Sequence, residues 1–572
     1  MATAENNEKP AVQKRLDAVM APVSAQIRNA GLFSVIAALV WYAQAVLVAD
    51  VFAALAAETS GLFDPWIAVP AFLLLGIVRA LIGWRAAQLG FEAAQCAMAM
   101  EREKLIARES RRSPLSDASA SAEIASLAAE KIAALGPYIT RYRPAMLRTR
   151  ILPLVIAAIA FSISWVAGVI LLVTGPLIPV FMILVGLAAR EASERQMQEV
   201  GTLNTLLTER LRAMTDIRLL DASQRTIAGL AQGAEALRAK TMAVLKIAFL
   251  SSTVLELFSA IGVALMAVYV GFALLGEISF GAYGTPLTLF EGIFLLLLAP
   301  EFYQPIRDLA AAWHDKAAAQ AVAGELAASE AAPVQAIAGT GGVAAPLQTT
   351  GPLATHGLCY TTPTGRELRF PDMTIAIGGK GKQAMGEKIA LVGDSGSGKS
   401  TLLALLAGLA QPTAGAVEIA GQPLHDDVAD AWRAGIAWIG QTPHFLNASL
   451  RANLLPGAGD KPVADLDHAL ELAAAGGIVS RLPRGLLTRI GEAGHGVSGG
   501  EARRLKIAAA IAAEPKLVLA DEPTADLDEE TAELVTAGLI GMAERGATVI
   551  VATHDTALAE KMDRRIAIGD AP

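Results

Sequence analysis

The run ILPLVIAAIAFSISWVAGVILLVTGPLIPVFMILVGLAA, residues 151 to 189, carries no charged side chain. A bilayer core is crossed by about 20 apolar residues of helix, so this run is twice one span and reads as a helical hairpin turning near Ser162 to Trp165. Part of the chain is then expected to sit in lipid. Further runs lie at 31–52, 64–83, 247–275 and 283–301; with the hairpin halves at 146–163 and 165–188, six spans are predicted. The hydrophobic share of 53% and a mean hydropathy of +0.46 over the chain agree with a protein partly in lipid.

Loop charges set the orientation. The N-terminal arm holds Lys9, Lys14, Arg15 and Arg28; the stretch after the second span holds Arg85, Arg102, Lys104, Arg108, Arg111 and Arg112; the stretch after the fourth holds Arg190, Arg195, Arg210 and Arg212. The segments ALAAETSGLF and GEISFGAYGT, and the turn inside the hairpin, have neither lysine nor arginine. The first set faces the cytoplasm and the second faces outward by the positive-inside rule, which returns the C-terminus to the cytoplasm. The first span begins about thirty residues in and lacks a small-residue cleavage site, so it reads as a span and not a secretory leader. The long inward loops are rich in Ala, Leu, Glu and Arg and are expected to extend the membrane helices into the cytoplasm.

Some classes fall away early. A net charge of -8 leaves no basic surplus to neutralise nucleic-acid phosphates. Two cysteines, Cys96 and Cys359, offer no disulfide framework and no zinc spacing.

Residues 326–355 are Ala, Gly, Pro and Thr without apolar periodicity, a linker composition, and a second domain is expected over 356–572 after an arm at 1–30 and a membrane domain at 31–325. Within it, KIALVGDSGSGKSTLLALLAGL places a buried strand, a G-x-x-x-x-G-K-[ST] loop and a helix in the order phosphate binding needs. Gly393, Asp394, Ser395, Gly396, Ser397, Gly398 and Thr401 form and flank a loop whose N–H groups wrap a β-phosphate; Lys399 reaches the β and γ oxygens, and the Ser400 hydroxyl can ligate Mg2+. PKLVLADEPTADLD supplies a strand ending in Asp521, a metal-side acid, and Glu522, placed to orient or deprotonate a water. VSGGE at 497–501 is a second glycine pair before a helix, another anion contact by the same physics.

Taken in order, GDSGSGKST, Gln441, VSGGE, LVLADEP, ADLD and His554 resemble an ATP-binding cassette. The resemblance implies ATP with Mg2+, a cytoplasmic α/β P-loop domain, and two cassettes that sandwich nucleotide. Ser498, Gly499, Gly500 and Glu501 would then contact a partner's ATP. It also implies that Gln441 contacts Mg2+ and water, that His554 touches the γ-phosphate, and that Asp526 and Asp528 lie in a loop crossing the interface. The signature departs from the commoner LSGGQ by its glutamate. A family tyrosine expected near Thr362 is displaced to Tyr360, which by strand parity either stacks on adenine or joins the core.

Six spans before one cassette resemble the type I exporter half-transporters, an all-α membrane domain joined to the nucleotide domain. The stretches RYRPAMLRTRILPLV, FLSSTVLELFSAIGVALMAVYVG and LAPEFYQPIRDLAAAWHDKAAA are similar to the CydD subunit family of the heterodimeric CydDC transporters. That likeness implies a CydC-like partner, the bacterial inner membrane, export of cysteine or glutathione, and support of cytochrome bd assembly. An exporter of lipid, drug or haem on the same engine stays open, as does an ATP-binding regulatory subunit, against which Glu522, Gln441 and His554 are all in place. Ionisable groups inside spans are substrate candidates because their desolvation is costly: Arg79, Glu256 and Glu291.

Overall fold

The computed structural model describes residues 2–569 apart from 59–60, 117–118, 182–205, 208–209, 211–212, 285, 333–334, 343, 345–346, 348–350, 379–384, 456–462, 492–495 and 526. The chain divides into two compact units, Met1–Leu105 with Ala125–Ala331, and Ile106–Ile124 with Ala332–Pro572.

The first unit is helical. Apolar helices Ser24–Ala57 and Arg143–Ile163 contain the first and third predicted spans, and Pro65–Ser110 and Ser223–Leu274 contain the second and fifth to within one residue. The sixth is corrected at its start: its helix is Leu289–Ala311, beginning six residues later than the predicted 283. The fourth span is described over the helix Trp165–Phe181; its remainder, with Arg190, Arg195 and Arg212, lies outside the described residues. The predicted hairpin turn falls at Ser164. That residue is extended (φ -151°, ψ 125°), bridges Ala282, and bonds Tyr269 Oη and the Gly281 carbonyl at 2.7 Å each. A serine can stop the helix in an apolar setting because both its lone pairs and its hydrogen find partners there. Asp64 and Pro65 start the second span: the Asp64 carboxylate accepts the Trp66 N–H at 2.9 Å, and proline is at home in a first turn.

The core of this unit draws Tyr42, Ile156, Ile178, Met266 and Leu295 from the first, third, fourth, fifth and sixth spans. Gly262 lets the fifth span approach the sixth, since a Cβ there would stand 1.9 Å from Tyr303 Oη. Helices longer than one span appear in Pro65–Ser110 and Ser223–Leu274, and most of the stretch between the fourth span and Ser223 lies outside the described residues. Arg15 of the N-terminal arm pairs with buried Glu101 on the first of these and with Glu330 at 2.7 Å.

One expectation is corrected between the second and third spans. The helix stops at Ser110, and residues 111–116 turn, because RRSPLSD brings a proline and helix-breaking polar residues. This stretch belongs to the second unit: Ser113 N–H donates to the Gln335 carbonyl and Ile337 N–H to that of Arg111, each at 2.8 Å. The linker also differs from 326–355 at both ends, since the helix Trp313–Ala331 runs past its start and a strand begins at Pro352.

The second unit carries an antiparallel sheet in the order β2 (Glu367–Arg369), β1 (Pro352–Thr361), β5 (Ala414–Ile419), β6 (Gln422–Pro423), with β3 (Met373–Ala376) also on β1. A parallel sheet runs β12 (Arg564–Ala567), β4 (Lys388–Val392), β11 (Thr548–Ala552), β10 (Leu517–Asp521), β7 (Ile436–Ile439). A small pair, β8 (Ala448–Ser449) and β9 (Arg489–Ile490), completes it. All five residues of β10 and of β11 are buried, as apolar strands covered on both faces require. One core holds Leu391, Leu402 and Tyr360; the other holds Leu505, Val518 and Leu539.

Candidate functional site

Parallel strands put all their carboxyl ends on one edge, and loops leaving that edge meet. Register makes this concrete: Leu391 of β4 pairs with Ala552 of β11, and Ala552 pairs with Asp521 of β10. Val392, Thr553 and Glu522 therefore follow at one level on adjacent strands, and Gly393 comes one residue later.

The loop after β4 is shaped by glycine. A Cβ on Gly393 would lie 2.2 Å from the Ile568 carbonyl oxygen, and Gly398, at φ +102°, stands in left-handed backbone as it caps the helix Lys399–Leu406. Lys399 is 6% exposed, and its Nζ bends back to donate to the carbonyls of Gly393 (2.7 Å) and Asp394 (3.1 Å). Ser400 Oγ donates to Asp521 Oδ1 at 2.9 Å. Burial holds the Asp521 carboxyl above its usual range against that hydrogen bond; neighbouring Glu522 raises it further and Lys399 opposes.

Glu522 sits at φ +44°, left-handed backbone uncommon outside glycine. Its carboxylate lies 3.9 Å from Lys399 Nζ and 2.9 Å from His554 Nδ1. These groups border a cavity of about 1000 Å³. Gly393, Asp394, Ser395, Gly396, Gly398, Lys399, Ser400, Thr401, Gln441, Glu522 and His554 all line it. Asp521 stands behind Ser400, and the Ser397 hydroxyl is buried beside the loop without a hydrogen-bond partner.

Ser498, Gly499, Gly500 and Glu501 do not line this cavity. They open the helix Gly499–Ala512 as a capping box: Ser498 Oγ accepts from Glu501 N–H at 3.2 Å, and the Glu501 carboxylate accepts from Ser498 N–H at 2.9 Å. From the same helix, buried Arg503 donates to the carbonyls of Gln441 (2.7 Å) and Ala525. Asp528 caps the helix Glu529–Glu544, and Asp526 lies outside the described residues.

Tyr360 requires correction. It is 2% exposed, packs in the core with Leu391 and Leu402, and its hydroxyl donates to Gln335 Oε1 at 2.6 Å. The cavity wall includes Thr362, the position where the family tyrosine is expected, and Arg366, which sequence reading missed. Strand parity fails because β1 ends at Thr361 and Thr362 opens a turn closed by its N–H to the Arg366 carbonyl. Tyr360→Leu is expected to leave the KM for ATP within about twofold while lowering stability by about 2 kcal/mol, through a lost hydrogen bond and lost volume. ATPase kinetics beside thermal denaturation checks it, and a tenfold KM rise would restore the stacking role.

In the membrane unit the three candidates have separate surroundings. The Arg79 guanidinium lies 5.3 Å from the Trp41 ring centroid, a cation–π contact between second and first spans. Glu256 is exposed on the fifth span. Glu291 is corrected to a capping residue: its carboxylate accepts from the N–H (2.9 Å) and hydroxyl (2.7 Å) of Thr288 at the start of Leu289–Ala311. Buried Asp50, overlooked in the sequence, accepts the N–H groups of Leu62 and Phe63 and so ties the end of the first span to the segment before the second.

An ATP site is what this geometry suits: a glycine-shaped loop with a lysine, oxygen donors at Ser400 and Asp521, and an acid with a histidine across the cavity. Residues 380–525 match the ABC transporter family and residues 27–297 match the ABC transporter transmembrane region. The chain is 36% identical over 85% of its length to the glutathione/L-cysteine transport system ATP-binding/permease protein CydD of Haemophilus influenzae, covering 82% of that protein. It is 34% identical to the transport ATP-binding protein AarD of Providencia stuartii, over 92% of this chain and 88% of that one. Against the glutathione/L-cysteine transport system protein CydC of Bacillus subtilis it is 30% identical, over 76% and 72%.

Proposed function

We propose, for a chain that belongs to the CydD family of ATP-binding cassette transporters, that it is one half of a heterodimer with a CydC-like subunit and exports cysteine or glutathione across the bacterial inner membrane. That the chain is an ATP-driven, multi-pass membrane transporter follows from the family itself. The finer reading rests on one observation: identity of 36% spans membrane and nucleotide portions together, over 85% of the chain, with a protein named for glutathione and cysteine transport. Support of cytochrome bd assembly is part of the same proposal.

The residue roles are proposed on the geometry. Lys399 leaves the Gly393 and Asp394 carbonyls for the β and γ phosphate oxygens, while the loop N–H groups wrap the β-phosphate. Ser400, Asp521 and Gln441 form an all-oxygen donor set suited to a hard cation and would hold Mg2+, which when bound supplies charge neutralisation at the phosphates. Glu522 orients the attacking water and accepts its proton, and His554, held to Glu522, faces the γ-phosphate. Ser498, Gly499 and Gly500 complete the partner's site across the interface. Arg79 and Glu256 remain the proposed pathway residues, a cation and an anion of the kind a zwitterionic thiol would need.

Inside-out vesicles holding this chain and a CydC-like partner are expected to accumulate labelled cysteine or glutathione with ATP, and to lose that accumulation with Glu522→Gln. Intact ATPase activity without accumulation would overturn the thiol reading in favour of haem or lipid.

A further inference from the structure

The signature turn of this chain has a charge to account for. Glu501 stands where an uncharged glutamine is commoner, and on the reading above this turn faces a triphosphate held by another subunit. A bare carboxylate about 6 Å from a phosphate opposes binding about threefold even at water-like dielectric, and more strongly in a closed interface. The structure shows how that carboxylate is occupied. Glu501 Oε2 accepts the Ser498 N–H at 2.9 Å, and Oε1 is paired with Arg481 Nη2. Arg481 ends the helix Gly476–Arg481 and is itself anchored, its Nε donating to the Gly477 carbonyl at 3.2 Å. Arg504, on the same helix as Glu501, adds a second guanidinium nearby, tied through Nη1 to the Ala474 carbonyl at 2.9 Å. The Ser498 N–H first, and these cations after it, hold the Glu501 carboxyl below its usual range, so it is ionised when the turn meets a nucleotide.

We propose that Arg481 is a positioning residue for ATP hydrolysis: it draws the Glu501 carboxylate aside and neutralises it, so that a glutamate signature can close on the partner-bound phosphates. The proposal rests on the composite-site reading. The pair sits in different local elements, 20 residues apart, and no capping function of Glu501 needs Arg481, because the capping box is complete through Ser498 alone. Arg481 is two-thirds exposed and Glu501 is mostly covered, so the guanidinium serves as a charge set over the carboxylate and not as part of a packed core. Exposed pairs add little to stability, which leaves the electrostatic field at the turn as the consequence of keeping them.

The test is a double-mutant cycle in the paired transporter, reading ATPase kinetics. Arg481→Met is expected to raise the KM for ATP about fivefold with kcat within twofold, the rise narrowing as salt is added. Arg481→Lys should restore most of the loss. In a Glu501→Gln background the same Arg481→Met change should shift KM less than twofold, because no charge is left to neutralise. An equal rise in both backgrounds would overturn the proposal and make Arg481 a structural residue, as would a loss that lysine cannot rescue. Ser498→Arg separates the underlying reading: if it leaves kcat and KM intact, the turn reaches no nucleotide and the composite site fails with it. If Ser498→Arg is inactive while the cycle shows no coupling, only the role of Arg481 fails.

Discussion

Glu522→Gln is expected to lower kcat for ATP hydrolysis by about 10² to 10⁴ while leaving nucleotide affinity nearly unchanged, the range a positioned general base contributes. Glutamine fits the site sterically and can still accept from His554, whose Nδ1 is 2.9 Å from Glu522 Oε2, so the loop geometry should persist. What disappears is the ability to take a proton from water beside the γ-phosphate. Single-turnover hydrolysis with equilibrium ATP binding on the same sample separates the two. Retention of more than a tenth of wild-type turnover would remove Glu522 from the role of base and leave it an orienting group.

Lys399→Ala is expected to act on the other side of that split, weakening ATP binding about 10- to 100-fold through loss of charge-assisted hydrogen bonds to phosphate. Lys399 also satisfies the Gly393 and Asp394 carbonyls, at 2.7 and 3.1 Å, so part of the effect will be a looser loop. Thermal denaturation without ATP measures that part, and titration with a labelled nucleotide measures the remainder. Affinity within threefold of wild type would show that the loop N–H groups alone hold the phosphates.

Much of this was legible beforehand because it follows from short-range rules. Spans announce themselves by length and lack of charge, and Ser164 lies inside the turn read from the doubled run. The phosphate loop needed only its order of strand, glycines and lysine. What escaped depends on contacts between residues far apart in the chain. Arg503 reaches Gln441 and Ala525, and Arg481 reaches Glu501, in ways no local pattern predicts. Of the two readings open for Tyr360, the core one holds, because two-residue parity with Thr362 lasts only as long as the strand, which stops at Thr361. Glu291 differs from these, since TLFE is a Thr-x-x-Glu capping pattern written openly in the sequence. Treating it as an intramembrane charge overlooked a local signal that was available.

The backbone at Glu522 has a consequence for how this protein could be improved. A side chain at φ +44° costs about 1 kcal/mol that glycine would not incur. Any search that rewards only heat resistance will therefore tend to remove the very group that turns ATP over. Robustness and work compete at a single position, and the chain as it stands has settled that contest for work.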